Sequence, residues 1–405
     1  MIPYQIKFLK KSELEGALRH IGADLRSFPF FDNKREIKTL YISGIDVRAA
    51  NVLKQEMLSR GGDAAVHAHA VDCAVRHSDI LIFGTARQMG FLADKIESMT
   101  WWGIPEIAAC IRTALSGLSC KIGPAKLPSG RTLPLGDRSL IMGIINLTDD
   151  SFYQDSRTCS TDKAVEKAQK MAADGADILD LGAESTRPGS ARVAESEEIA
   201  RIVPAVSQIR KALPAIPISI DTTRNSVARA ALEAGADIIN DISGLAYEPE
   251  IAASVSDLGG MLVLMHMKGI PETMQSMCAY SNILLEIAES FEHGISQAGS
   301  YGLERSRIIL DPGIGFAKNY NQNLFILGHI ESFRTFGLPL LIGASRKGTI
   351  GAATASELPS ERLEGTIAVS SLCAWNGVDI IRVHDVLENR KAVMMIEAIK
   401  GAKYE

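Results

Sequence analysis

From Ser139 onward, short apolar runs alternate with amphipathic segments along the chain. The runs are too short for helices and are typical of buried strands. The segments between them place apolar residues at helical spacing, as in Thr161–Asp174, where Ala164, Ala168 and Met171 share one face. The predicted strands are Leu140–Asn146, Asp177–Leu181, Ile216–Asp221, Asp237–Asn240, Met261–His266, Arg307–Asp311, Pro339–Gly343 and Asp379–Arg382. This pattern predicts an α/β fold of the (β/α)8 TIM-barrel type. An open doubly wound sheet is the alternative, which the lack of a G-x-G-x-x-G after the first strand weakens.

The first 116 residues follow a less regular pattern. Strands are predicted at Lys38–Ile42, Ala64–His69 and Asp79–Phe83, and Asp46 is placed to cap a helix that continues to Arg60. Turn dipeptides then interrupt short apolar pieces up to residue 136, which predicts a linker that forms a β-hairpin and closes the bottom of the barrel. The sequence therefore predicts an N-terminal α/β domain of unknown role over residues 1–116 and the barrel over residues 117–405.

Two histidines in the N-terminal domain, His67 and His69, would share a face if the strand there includes both. Cys73 and His77 follow, so a metal site is conceivable, although the spacing matches no recognised zinc site. Ordinary surface and packing roles are the alternative.

Composition excludes several classes of protein. The chain has 405 residues and a net charge of -5, with a pI near 6.0, which argues against a nucleic-acid binder driven by bulk charge. No apolar run approaches the roughly 18 residues of a membrane span, and we expect no signal peptide. The six cysteines are scattered without a C-x-x-C pair, which favours reduced thiols and a cytoplasmic protein.

Polar residues recur where the predicted strands end. In strand order they are Asn146 with Thr148, Asp180 with Thr186 and Arg187, Asp221, Asn240, His266 with Lys268, Asp311 with Phe316 and Lys318, Ser345 with Arg346 and Lys347, and Arg382 with His384. The active site of such a barrel lies at the carboxyl ends of its strands. One polar strand end could be structural, but polar residues at every strand end indicate a binding site.

These residues form two groups by chemistry. The deeper group, Asp180, Asp221, Asn240 and Asp311, can accept hydrogen bonds from the ring N–H and NH2 groups of a flat heterocycle. Buried carboxylates are costly unless they are paired in this way or matched with a cation such as Lys347. The second group is expected at the rim, where it would bind a diphosphate or a metal-bound phosphate; it comprises Arg187, Arg382, His384, Asn146 and Thr148.

Across about residues 117–400 the strand-end segments resemble the dihydropteroate synthase family. The shared motifs include D-x-G-x-E-S-T-R-P-G, S-I-D-T, M-H-M-x-G, D-P-G-x-G-F-x-K, G-x-S-R-K and R-V-H-D, in order. The sequence departs from the family pattern at Asp149, where the family usually has proline, and at Asp155, Ser156, Ala183 and Ala317, where it often has glycine. The residues before 117 lie outside the resemblance.

The resemblance implies condensation of 6-hydroxymethyl-7,8-dihydropterin diphosphate with 4-aminobenzoate, with release of diphosphate. It implies Mg²⁺ as cofactor, small-molecule substrates, sensitivity to sulfonamides and a homodimer formed through barrel helices. Asp221, Lys347, Arg187 and Asp311 would be catalytic and Asn146 the Mg²⁺ ligand. The substrate-binding residues would be Asp180, Asn240, Thr186, Pro188, Phe316, Ser345, Arg382, His384 and Asp150.

Two other functions stay open from the sequence. The first is a pterin-binding barrel that serves a corrinoid methyltransferase, which would share Asp221, Asn240 and Asp311 but would not need Arg187 as an anion-binding group. The second is an inactive homologue that acts as an interaction scaffold through its N-terminal domain. Turnover with both substrates and release of diphosphate would separate all three.

Overall fold

The computed structural model describes residues 18–22, 24, 26, 28, 36–147, 157–184, 193–270 and 273–402. The chain divides into two compact units, Met1–Cys120 and Lys121–Glu405. The division lies later than the predicted one after residue 116, because the last helix of the first unit runs from Ile104 to Ser119 without a break.

The first unit is a small α/β unit. Its strands are β1 (Lys38–Asp46), β2 (Asp63–Val66) and β3 (His77–Gly84), and its helices are α1 (Val47–Leu58), α2 (Ala86–Ile96) and α3 (Ile104–Ser119). Antiparallel β1 and β2 flank β3 in the order β1-β3-β2. Alternate residues of β3 are buried, and Ile80 and Ile82 pack with Leu53, Leu92 and Ile111 from the three helices. Period-two alternation in the strand thus supplies one apolar face for the helices to cover.

The histidine pair does not occupy a strand. Because β2 ends at Val66, His67 and His69 lie in the turn that follows, with ring centroids 5.8 Å apart. The prediction that a strand extends to His69 is therefore wrong. Within the described part of the chain, no group of three or more His, Cys, Asp or Glu residues is arranged to hold a metal ion.

The second unit contains an eight-stranded parallel barrel. Its strands are β6 (Leu140–Asn146), β7 (Ile178–Gly182), β8 (Ile218–Asp221), β9 (Ile238–Asp241), β10 (Met261–Met265), β11 (Ile308–Asp311), β12 (Leu341–Ile342) and β13 (Ile380–Val383). Each of β6 to β10 pairs with the strand that follows it in the chain, and β13 lies between β6 and β12. A parallel bridge between Leu310 and Leu340 joins the remaining edges, so the sheet closes on itself and the predicted fold class is confirmed.

Helices follow the strands. They are α4 (Arg157–Ala173), α5 (Glu195–Ala212), α6 (Asn225–Glu233), α7 (Ile251–Asp257), α8 (Ile283–Ser300), α9 (Tyr320–Leu327), α10 (Gly348–Thr354), α11 (Leu363–Trp375) and α12 (Val386–Gly401). Short 3-10 turns occupy Pro128–Gly130, Met274–Ser276, Arg305–Arg307, Ile330–Phe336 and Pro359–Glu361. None of the helices in the described residues is long and apolar enough to cross a membrane.

A hairpin closes the amino-terminal end of the barrel. Its strands are β4 (Ala125–Lys126) and β5 (Thr132–Leu133), which pair antiparallel. Leu127, Leu133 and Leu135 pack in one buried cluster with Leu140 and Ile380, the first residues of two barrel strands. The predicted hairpin is therefore present, and it fills one end of the barrel with apolar side chains. A site for a polar ligand is left to the other end.

Candidate active site at the carboxyl ends of the strands

Strand register decides which polar residues face the barrel axis. Met142, Ile178 and Val263 belong to the inner cluster, whereas their neighbours in the chain belong to the outer cluster that contacts the helices. Counting in twos from these inner positions brings Asp180, Asn240 and the residues at their level inward. The register pairs Asp180 with Ser219 and Asp221 with Asn240. The sequence-predicted residues of β7, β8 and β9 therefore meet inside the barrel mouth.

Arg382 of β13 binds carboxylates on two of these strands. Its Nε donates to Asp180 Oδ2 at 2.7 Å, and its Nη2 lies 2.6 Å from the same oxygen and 2.8 Å from Asp221 Oδ2. The prediction that Arg382 lies at the rim is therefore wrong in this structure. Position 382 is on an inward register of β13, and a partly desolvated guanidinium is stabilised by two carboxylates within reach.

The surroundings of Asp180, Asp221 and Arg382 bring the pKa of one carboxyl close to neutral pH. Burial raises the pKa of Asp221 to about 7, although Arg382 acts in the opposite direction. Burial alone would lower the pKa of Arg382, but Asp180 and Asp221 outweigh it and raise that pKa. Arg382 thus stays charged while the Asp221 carboxyl is poised to gain or lose a proton.

Three buried polar atoms at this level have no hydrogen-bond partner among the described residues. They are Asp180 Oδ1, Ser219 Oγ and Asn240 Oδ1, on three consecutive strands. Buried acceptors are normally satisfied, so such atoms indicate a place for a donor from a ligand or ordered water. Ser219 was not predicted; its signal in the sequence is that it lies two residues before Asp221 and so shares the inward face.

Asp311 and Lys347 form the other wall of the deep site. Asp311 Oδ1 accepts from Gly313 N at 2.8 Å, while Lys347 Nζ donates to Ile314 O and lies 4.2 Å from the centre of the Phe316 ring. Burial raises the pKa of Asp311, which Lys347 opposes. Burial lowers the pKa of Lys347 to about 8. The two residues stabilise each other's charge electrostatically, and the direct partners of Lys347 are a carbonyl and a ring.

His384 and Ser345 pair at the ends of β13 and β12. Ser345 Oγ lies 3.0 Å from His384 Nδ1 and accepts from His384 N at 3.2 Å. Burial, with the charges of Arg382 and Arg346, lowers the pKa of His384 to about 3. A neutral imidazole there can present its other nitrogen to a ligand. Arg346 was not assigned a role from the sequence; its guanidinium binds Asp385, which follows His384.

An apolar wall, which the sequence did not predict apart from Phe316, lies beside the polar residues. It consists of Ile242, Met265, Met274, Phe316 and Ala317, which are all nine-tenths or more buried. Met265 pairs in register with Asp311, so strand alternation places it on the same inner face. Ala317 lies where the family usually has glycine and has a φ of 49°. This left-handed conformation costs a residue that carries a Cβ about 1–2 kcal/mol.

The remaining predicted residues divide into two sets. Asn146 ends β6 at the barrel mouth, where it is half-buried and pairs in register with Gly182. Thr148, Asp150, Thr186, Arg187 and Pro188 lie outside the described residues. The described part of the site can therefore bind a flat ring through carboxylates and an amide, stack it against apolar side chains and meet an anion with Arg382 or Lys347.

Comparison with known proteins identifies similar chains. A model of the family described as pterin binding enzyme matches residues 142–384. The dihydropteroate synthase of a Synechocystis strain is 44% identical over 264 residues, which is 65% of this chain and 91% of that protein. A probable bifunctional folylpolyglutamate synthase/dihydropteroate synthase of Haloferax volcanii is 33% identical over 368 residues, 89% of this chain. The latter match is longer than Lys121–Glu405, so it extends into the first unit, and this chain spans 43% of that protein's length.

A solved structure shares the barrel. Dihydropteroate synthase from Xanthomonas albilineans in complex with 7,8-dihydropteroate aligns with a TM-score of 0.62 at 34% sequence identity. The alignment covers 68% of this chain and 100% of that one. The match to the pterin binding enzyme family spans residues 142–384 and so includes the strand-end residues described above.

Proposed function

The chain belongs to the dihydropteroate synthase family of pterin-binding enzymes, and from this we propose that it joins 6-hydroxymethyl-7,8-dihydropterin diphosphate to 4-aminobenzoate, with release of diphosphate. It is a transferase of folate biosynthesis. The observation that best supports the reaction is the set of unpartnered buried acceptors at the barrel mouth, which includes Asp180 Oδ1 and Asn240 Oδ1. A pterin ring has N–H and NH2 groups that can donate to such atoms.

The pterin end is assigned to the deep residues. Asp311 would accept from the guanidine-like edge of the ring, since one of its oxygens is already fixed by Gly313 N. Asn240 and Asp221 would meet the far ring nitrogens, and Lys347 would donate to the ring oxygen or nitrogen nearest to it. Asp180 would have two roles: its Oδ2 holds Arg382, and its unpartnered Oδ1 would accept from the pterin.

Bond cleavage leaves positive charge on the pterin. As the C–O bond to diphosphate breaks, the methylene carbon becomes a cation that the ring shares, and ionised Asp221 would stabilise it. The amine of 4-aminobenzoate is a free nucleophile near neutral pH, so it attacks without a Ser–His or Cys–His pair. The proton that it loses passes to solvent or to the departing diphosphate.

The diphosphate end is assigned to the barrel mouth. Magnesium prefers a few oxygen ligands from protein together with substrate phosphates and water, and the Asn146 carbonyl oxygen at the end of β6 fits such a ligand. When bound, Mg²⁺ would neutralise charge on the leaving group. Arg187, Asp150 and neutral His384 would supply further contacts, with Arg187 and Asp150 assigned by family resemblance alone.

The aminobenzoate end is assigned to Phe316 and Ser345, together with Thr186 and Pro188. Phe316 is fixed by Lys347 against its ring, and Ser345 by His384. We propose that sulfonamides, which resemble 4-aminobenzoate in shape and charge, compete with it for this pocket. A purified enzyme that turns over normally at high sulfonamide concentration would contradict the assignment.

A homodimer is proposed from the surface of the last two helices. Leu372 and Trp375 of α11 and Met394, Met395 and Ile399 of α12 are large apolar residues that are at least 39% exposed. Large exposed apolar side chains on two neighbouring helices favour an interface there. Trp375→Glu should convert dimer to monomer in analytical ultracentrifugation, and a wild type that sediments as a monomer would overturn the proposal.

Scattered cysteines support a cytoplasmic location.

The central test is turnover with both substrates and quantified diphosphate release. A corrinoid-associated methyltransferase barrel or an inactive scaffold would release none. EDTA should stop the reaction and Mg²⁺ should restore it.

Arg187→Ala should weaken binding of the diphosphate ester far more than binding of the free hydroxymethyl pterin. Arg382→Ala should weaken binding of both, because it also leaves Asp180 and Asp221 without their cation. Equal losses for both ligands in Arg187→Ala would contradict its role.

A further inference from the structure

We propose that Lys318 is a positioning residue for the 4-aminobenzoate half of the site. Its ammonium holds the segment Gly313–Ala317, which carries Phe316, in the conformation that the pocket needs. The inference rests on the proposed function, because it concerns a wall of the same site. Lys318 itself lies behind that wall, with only 2% of its surface exposed.

The ammonium of Lys318 is surrounded by uncharged acceptors. Its Nζ lies 2.9 Å from His266 Nδ1, 2.9 Å from Phe316 O, 3.0 Å from Gly313 O and 3.2 Å from His266 O. Burial lowers the pKa of Lys318 to about 7; in its protonated form the ammonium has three protons, which four acceptors at these distances satisfy completely. A buried lysine usually needs a carboxylate, and among the described residues no carboxylate is within ion-pair distance of Nζ. Backbone carbonyls therefore take the place of a counter-ion.

The backbone of the segment requires such a cation. Gly313, Gly315 and Ala317 have φ values of 70°, 84° and 49°, so left-handed residues alternate with ordinary ones. This conformation turns the carbonyls of Gly313 and Phe316 toward one point, where their partial negative charges would repel without a donor between them. A Cβ on Gly313 would come within 2.1 Å of His266 O, so the segment also packs directly on the end of β10.

His266 completes the arrangement as a neutral acceptor. Burial, with the charges of Lys318 and Lys268, lowers the pKa of His266 to about 2, so its ring keeps a lone pair that can face the ammonium. The titratable and charged groups around Lys318 are Asp311, Lys347, Lys268 and Cys278. Among the described residues, none of these four forms a hydrogen bond or ion pair with Nζ. The contacts of Lys318 Nζ with His266, Gly313 and Phe316, here called the Lys318 clamp, therefore depend on carbonyl and imidazole geometry.

Two residues that bind Lys318 Nζ also contact groups assigned to the substrates. Gly313 binds Lys318 with its carbonyl and Asp311 with its N–H, the latter at 2.8 Å. Phe316 binds Lys318 with its carbonyl and presents its ring to Lys347 at 4.2 Å. Asp311 is also anchored by β11, whereas Phe316 has no strand to hold it. Loss of the clamp should therefore displace the aminobenzoate wall more than the pterin wall.

The test compares Lys318→Met with the matched control Lys400→Met. The Nζ of Lys400 also donates to a backbone carbonyl, that of Ala374 at 2.9 Å, but Lys400 lies near the end of α12 and belongs neither to the segment Gly313–Ala317 nor to the strand ends. In Lys318→Met the KM for 4-aminobenzoate should rise at least tenfold, and at least threefold more than the KM for the pterin ester. Amide hydrogens of residues 315–317 should exchange at least tenfold faster. Lys400→Met should leave both KM values within twofold.

A conservative variant covers the case in which Lys318→Met does not fold. Lys318→Arg keeps the charge, but a planar guanidinium cannot direct its donors to acceptors that converge on one point, so the same difference between the two KM values is expected. Unchanged or equally raised KM values in a folded Lys318 variant would overturn the proposal, as would unchanged amide exchange. If the wild type has no turnover, the proposed function fails, and amide exchange alone decides whether the clamp exists.

Discussion

The two ends of the barrel use buried aspartates in opposite ways. At the amino-terminal end, Asp177, Asp237 and Asp379 each come directly before a strand and accept from a backbone N–H of the neighbouring strand, of Ile141, Ile218 and Leu340 respectively. Each also binds arginine: Arg138 for Asp177, Arg131 and Arg210 for Asp237, and Arg334 for Asp379. These carboxylates tie adjacent strands together and stabilise the fold.

At the carboxyl-terminal end the same residue type is left incomplete. Asp180 and Asp221 share the single guanidinium of Arg382, and Asp180 Oδ1 and Asn240 Oδ1 have no partner within the residues described. Burial is similar at both ends, so burial alone does not separate structural from functional carboxylates. The two kinds of carboxylate differ instead in whether all their hydrogen bonds are made. An unsatisfied buried acceptor is tolerated where a ligand supplies the missing donor.

The largest expected effect is on stability at the amino-terminal end. Asp237→Asn removes the charge that Arg131 and Arg210 share, and we expect the free energy of unfolding to fall by about 3–5 kcal/mol, with both KM values unchanged. Chemical denaturation would measure it. Asp257→Asn is the control: it breaks an exposed pair with Arg229, which should contribute less than about 1 kcal/mol. Equal losses in the two variants would remove the distinction between the ends.

The reciprocal change at the mouth is Asp311→Asn. The amide presents a donor where the pterin edge also donates, so pterin binding should weaken by about 1–3 kcal/mol or more, while the free energy of unfolding stays close to that of wild type. Isothermal titration calorimetry with the pterin substrate measures the affinity. An affinity within threefold of wild type would show that Asp311 does not meet the ring.

The pH dependence of kcat/KM should reflect the titratable groups at the carboxyl-terminal end of the barrel. Protonation of Asp221 below a pKa of about 7 removes the negative charge that stabilises the pterin cation, and deprotonation of Lys347 above a pKa of about 8 removes a positive charge. We therefore expect kcat/KM to follow a narrow bell between these limits. A flat profile from pH 6 to 9 would contradict it.

The same pKa shift makes a prediction about stability. The pKa of Asp221 is raised in the folded state, so its favourable contribution exists below its ordinary pKa and is lost as pH rises through about 7. The melting temperature of Asp221→Asn relative to wild type should therefore increase between pH 4 and pH 8. A difference that shrinks over this range would have the wrong sign.

The smallest expected effect comes from removing the first unit. A chain of residues 121–405 keeps the hairpin and every described strand-end residue of the site. We expect it to give a folded α/β circular dichroism spectrum and Michaelis constants within a few-fold of full length. A folded but inactive barrel would show that the first unit acts on the reaction, and the division between a catalytic and a separate unit would be wrong.

The sequence by itself determined the barrel and the level of the site. Apolar runs and helical spacing are local properties, and period-two alternation carries Asp180, Asp221 and Asn240 to the inner face once the strands are placed. The hairpin followed from its turn dipeptides, and its leucines are buried as expected. The bounds of the barrel strands agreed within about two residues for the same reason. In the first unit β1 continues to Asp46, past the predicted end at Ile42, and at β2 the prediction ran past Val66 into His67 and His69, because apolar alternation does not record where pairing stops.

Only the tertiary structure decided how the polar residues pair. Arg382 lies 202 residues from Asp180 in the chain, and no local pattern states that β13 and β7 flank β6 closely enough for their side chains to meet. The same holds for Lys318, whose partners are mostly carbonyls and so leave no trace in residue types. Pairing energies depend on distance and desolvation, which arise from closure of the barrel, whereas the alternation that aims each side chain is already present in a single strand.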